Sequence, residues 1–67
     1  MSIARVTEIS ATSEKGFEDA VRQGIQRANE TLRNVKSAWI KEQSVDCENG
    51  APTYFRVNMM VTFVLDD

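Results

Sequence analysis

The stretch TYFRVNMMVTFVL, from Thr53 to Leu65, decides the fold. Its alternate residues Phe55, Val57, Met59, Val61, Phe63 and Leu65 are all apolar, the period-two pattern of a strand with one face in a core. The intervening set, Tyr54, Arg56, Asn58, Met60, Thr62 and Val64, is too polar for a core and too apolar for open water. Something must cover that second face.

Working backwards, Asn49-Gly50 separates this strand from VKSAWIKEQSVDCE and is a strong hairpin signal, since both residues accept the positive φ angles of a type I′ turn. Counting outward from the turn sets Glu48 opposite Ala51, Gln43 opposite Arg56, Lys41 opposite Asn58 and Trp39 opposite Met60. A bulge would move this register by one. Pro52 lies next to the turn, where a missing N–H donor does least harm.

Before the hairpin, Phe17, Val21, Ile25, Ala28, Leu32 and Val35 recur at spacings of three and four, one stripe of an amphipathic helix. Ser13 is expected to cap it through the Gly16 amide, with Glu14 in the first turn, and Asn34 to end it. Glu18 and Arg22 form an i,i+4 pair, and Gly24 in mid-helix marks either a close neighbour or a tolerated defect. Ile3 to Ser10, rich in β-branched residues, reads as a first strand. The order is therefore β-α-β-β. The helix stripe and the Phe55 to Leu65 row cover each other, which uses the only helix. The face with Trp39, Gln43, Tyr54, Arg56, Met60 and Val64 is left for another subunit, a ligand, or both.

With 67 residues, residues 1–67 form one domain with a thin core. Cys47 is the only cysteine and there is no histidine, so neither a disulfide nor a zinc site can staple it, and self-association is expected to supply the missing buried area. The lone thiol and the lack of a long apolar run place the chain in a reducing cytoplasm, away from membranes. A net charge of −2, with eight Lys and Arg dispersed along the chain, offers no footprint for nucleic acid. No nucleophile elbow, phosphate loop or histidine base points to an enzyme.

VTEISATS, the AVRQGIQRA helix, a strand carrying Trp39 with Gln43 four residues on, and the ending FRVNMMVTFVLDD together resemble the dodecins, small flavin-binding proteins. The resemblance implies an α+β fold, a three-stranded antiparallel sheet partly wrapped around its helix. It also implies a hollow homododecamer that stores or buffers a flavin, FMN or riboflavin, without turnover. In that family a tryptophan of the second strand stacks on the isoalloxazine ring, and Trp39 matches it. A glutamine in a Phe-Gln-Val triplet meets the polar ring edge, and here the triplet is Phe55-Arg56-Val57. An amide donates and accepts, whereas a guanidinium only donates, so Arg56 cannot serve the ring N–H as glutamine does. Gln43, expected opposite Arg56, is a candidate substitute. Arginine here and the Glu42-Gln43 pair are similar to a branch for which calcium has been proposed.

Each of these residues also has a plainer role. Trp39 fits a subunit contact as well as a stacking platform. Arg56 fits an ion pair, with Glu42, Asp46 and Glu8 as candidate acids. Asp46, Glu48, Asp66 and Asp67 are possible oxygen ligands for calcium, yet lack the spacing of a calcium loop. A shell that binds no flavin and holds calcium or a small anionic metabolite is the alternative function.

Overall fold

The computed structural model describes residues 3–65. Strand β1 (Ala4–Ser13) is followed by helix α1 (Phe17–Leu32) and the long hairpin β2 (Val35–Glu48) and β3 (Ala51–Val64). The sheet is antiparallel with order β1-β3-β2, so the strand with the cleanest alternation is the central one. Val57, Met59 and Val61 are fully buried on its inner face, and Ala20 and Ala28 of α1 pack against them. Burying a side chain of this size is worth roughly 1.5–3 kcal/mol, which makes this row the energetic centre of the chain.

The predicted helix stripe sits at the sheet, but its closest line is a row of small residues. Ala20, Gly24 and Ala28 are buried, while Phe17, Val21, Ile25 and Leu32 flank them and are partly buried. Gly24 is there because space runs out: a Cβ on it would stand 2.6 Å from Met59 Cε and 3.0 Å from Ala11 Cβ. Phe17 closes one end of the core edge-to-face on Phe55, with ring centroids 5.2 Å apart.

The helix termini differ from the expected caps. Gly16 occupies the N-cap position, its carbonyl accepting from the Ala20 amide at 3.1 Å. Ser13 ends β1; its hydroxyl accepts from the Lys15 amide at 2.9 Å and donates to Asp19 Oδ2 at 2.5 Å. Glu14 therefore precedes the helix, and Glu18 and Asp19 are the acids that meet the positive end of its dipole. At the other end Arg33 is the C-cap, and Arg33 and Asn34 both take positive φ, turning the chain into β2. Glu18 and Arg22 pair as expected, at 2.9 Å.

The hairpin turn is Asn49-Gly50, both at positive φ, with Glu48 opposite Ala51. Beyond it the register departs from simple counting. An extra residue in β3 at Thr53 moves the pairing by one, so Ser44, not Gln43, faces Arg56, and Glu42, not Lys41, faces Asn58. An extra residue in β2 at Lys41 reverses the shift, and Trp39 faces Met60 as counted. Gln43 pairs with the core-side Val57, which puts it on the opposite face of the sheet from Arg56.

The subunit is long and thin, 51 × 19 × 13 Å, with a radius of gyration of 13.6 Å. A compact domain of this length would have about 11 Å. A 16-residue helix spans only ~24 Å, so it cannot cover a sheet of this length. Beyond the Ser13–Phe55 pair β3 is flanked by β2 alone, and this two-stranded arm carries Pro52 where no third strand needs its donor.

Candidate functional site

The outer sheet face is built by residues that alternate with the core row. From β3 come Tyr54, Arg56, Asn58, Met60, Thr62 and Val64, with Glu8, Ser10 and Thr12 of β1 on one side and Trp39, Glu42, Ser44 and Asp46 of β2 on the other. Among the described residues no element lies over it. Trp39 is 52% exposed and Tyr54 and Val6 are also exposed, an apolar surface that one chain does not bury.

Its polar groups are largely paired with each other. The Arg56 guanidinium grips Asp46 with both terminal nitrogens, Nη1 to Oδ1 at 3.1 Å and Nη2 to Oδ2 at 2.9 Å. Asp46 was one of the three acids expected to pair with Arg56; the bulge at Thr53 places it opposite Tyr54, diagonal to the arginine. As a half-exposed pair it adds at most about 1 kcal/mol, but the fork fixes where the guanidinium points. Lys41 Nζ reaches across β3 to Glu8 Oε1 at 3.3 Å. Between these pairs, Asn58 Nδ2 donates to Glu42 Oε1 at 3.0 Å.

A flat heteroaromatic ligand finds part of what it needs here. The indole of Trp39 is open for stacking beside Met60. The end-on fork of Arg56 is held by Asp46, and Gln43 lies on the wrong face. The amide that shares the face with Trp39 is Asn58, one residue pair away, which keeps a second N–H and a carbonyl oxygen beyond its bond to Glu42. Asn58 and the strap from Lys41 to Glu8 were not singled out in the sequence; the β3 bulge at Thr53 that brings Glu42 opposite Asn58 has no sequence signal.

For a cation the single chain offers less. Among the described residues no three His, Cys, Asp or Glu side chains gather as a metal site. Asp46 is bound to Arg56, and Asp66 and Asp67 lie outside the described residues.

Comparison with known proteins fits this architecture. The family model described as Dodecin matches residues 3–66. The chain belongs to the dodecin family. It is 36% identical to a dodecin from Streptomyces davaonensis, whose solved structure matches with a TM-score of 0.94 over 98% of this chain and 97% of that one. A variant of the Thermus thermophilus dodecin is 27% identical and matches with a TM-score of 0.93 over the full length of both chains. The calcium dodecin of Mycobacterium tuberculosis is 27% identical over 63 residues, 94% of this chain and 89% of that protein. Its solved structure, described as calcium-chelating with a novel calcium-binding site, matches with a TM-score of 0.84 over 97% of this chain and 93% of that one. The β-α-β-β fold expected from the sequence is thus the dodecin fold. Among the described residues no helix is long and apolar enough to cross a membrane.

Proposed function

We propose that this dodecin assembles as a hollow homododecamer in the cytoplasm and stores a flavin on its outer sheet face, with no catalytic turnover. The observation that carries this is the open indole of Trp39 on an apolar face that its own chain leaves bare. Stacking needs a large, flat, polarisable surface, which tryptophan supplies better than any other side chain. The Asn58 amide then serves the polar edge of the ring in place of the glutamine that Arg56 displaces. Two copies of the face brought together would enclose the ring and bury Tyr54 and Val6 in the same step.

A second reading is favoured by one feature of that face. Among the described residues Glu42 receives only the neutral Asn58 amide and pairs with no cation, and a relative is a calcium dodecin. A calcium ion would then be held by carboxylates of more than one subunit, since the described residues of one chain gather too few.

The deciding experiment is a pair of titrations on the purified particle. Quenching of riboflavin fluorescence in proportion to subunits supports flavin storage. Calcium uptake in calorimetry, with flavin fluorescence unchanged, replaces it with the calcium shell. Light scattering at micromolar concentration gives a mass near twelve chains in either case, and a stable folded monomer refutes both.

A further inference from the structure

We infer that Asp46 is the specificity residue of this outer-face site, and that by holding Arg56 it makes the site select uncharged flavins over phosphorylated ones. The inference rests on the flavin reading above and concerns which flavin is taken.

An arginine on a ligand-binding face ordinarily invites a phosphate, because its planar fork matches two phosphate oxygens. Here that fork is already filled. Both terminal nitrogens of Arg56 are spent on the two oxygens of Asp46, at 3.1 and 2.9 Å, and the two charges cancel. A phosphate could take this end-on fork only by displacing a carboxylate attached to the neighbouring strand, and at the remaining Nε–H edge it would meet a guanidinium whose charge Asp46 already offsets.

The rest of the face adds to the exclusion. Around Asn58 the described side chains include two cations, Lys41 and Arg56, and three carboxylates, Glu8, Glu42 and Asp46. Each cation has its own acid, and Glu42 has only an amide. The field over the site is therefore negative. Four residues of strand separate Met60, the partner of Trp39, from Arg56, about 13 Å, so a ring stacked on the indole keeps any charged tail within reach of this cluster. The Debye length at physiological salt is about 8 Å, so the repulsion acts on a tail that comes within that distance of the carboxylates and weakens as salt is raised. Riboflavin carries no such charge, and its ribityl hydroxyls can hydrogen-bond to the same carboxylates.

The test compares riboflavin with FMN by fluorescence quenching on the intact particle, for wild type, Asp46→Asn, Asp46→Glu and Arg56→Met, with the mass of each checked by light scattering. Wild type is expected to bind riboflavin at least about tenfold more tightly than FMN, equivalent to ~1.4 kcal/mol. Asp46→Asn, which keeps the shape but frees the guanidinium, should erase or invert that ratio, and the gain for FMN should shrink as salt is raised. Asp46→Glu should restore the preference. Arg56→Met leaves Asp46 as a bare anion and should widen the preference, so the inference remains testable even if Asp46→Asn fails to assemble. Equal binding of both flavins by wild type, or a ratio unmoved by Asp46→Asn, overturns the role of Asp46 while leaving flavin storage standing. Binding of neither flavin by any variant overturns both.

Discussion

Gly24→Ala tests how closely the helix is seated on the sheet. On an exposed helix this change is favourable by about 1 kcal/mol, because alanine restricts the unfolded chain and suits the helix. Here the new methyl would lie 2.6 Å from Met59 Cε and 3.0 Å from Ala11 Cβ. The methionine tip can swing aside, but Met59 is fully buried and has little room, and the Ala11 Cβ is fixed to the β1 backbone. Overfilling a packed core typically costs about 1–3 kcal/mol. The two effects leave a net loss of about 1 kcal/mol. Urea unfolding followed by tryptophan fluorescence reads it directly, at one fixed protein concentration because assembly stabilises the folded chain by mass action. With a slope near the low end for small domains, about 1 kcal/mol per M, the midpoint should fall by about 1 M. Met59→Val removes the colliding atom, so the double variant should recover part of the loss, a coupling of roughly 0.5–3 kcal/mol expected only for residues in contact. A rise in the midpoint for Gly24→Ala, or strict additivity with Met59→Val, would refute the close approach.

Trp39→Ala should abolish flavin quenching while light scattering shows the particle retained, since the helix packs on the other face; unchanged affinity removes Trp39 from the site. The Asp19 carboxyl is held below its ordinary 3.8, first by the Ser13 hydroxyl, against some desolvation, and further by the Gln23 amide and the charges of Lys15 and Arg22. A carboxylate lowered in this way contributes stability that is present above its unfolded pKa and lost as the pH falls through the folded one. Asp19→Asn should therefore flatten the acid limb of the stability profile below about pH 4 in calorimetric melts, and an unaltered limb would assign the acid loss elsewhere. Gly50→Ala forces a Cβ into a φ of 78° and should cost about 1–2 kcal/mol in the same melts, against a null effect if the turn rearranges freely.

The sequence carried the architecture because its two periods are unambiguous. The apolar row of β3 and the helix stripe can satisfy each other in only one way, and Asn49-Gly50 fixes where the hairpin reverses. What alternation cannot show is a residue that drops out of it. Thr53 and Lys41 look like ordinary strand members, yet each is an extra residue in the ladder, and between them every cross-strand neighbour is shifted by one. That is why Trp39 was placed correctly opposite Met60 while Gln43 was assigned to the wrong face. The helix start was misplaced for a related reason: a serine before a helix reads as a cap, but the hydroxyl of Ser13 is engaged by Asp19 and the Lys15 amide, and the helix begins one turn later. Asp46 as the partner of Arg56 was among the acids legible in the sequence, whereas the choice between it, Glu42 and Glu8 depended on the bulge.

Of the three irregularities of the hairpin, the two nearer the turn have opposite sense, one in each strand, and they cancel before the ladder reaches Trp39, while the third, at Lys36, lies beyond it. The half of the ribbon next to the helix is consequently insulated from the half that ends in the turn. Its alignment is pinned by β1 and by the buried row of Met59 and Val61, and the distal half absorbs any mismatch in its own bulge. Insertions or deletions near Asn49-Gly50 are then confined to the tip, and the chain can drift in loop length over generations without sliding the indole away from Met60.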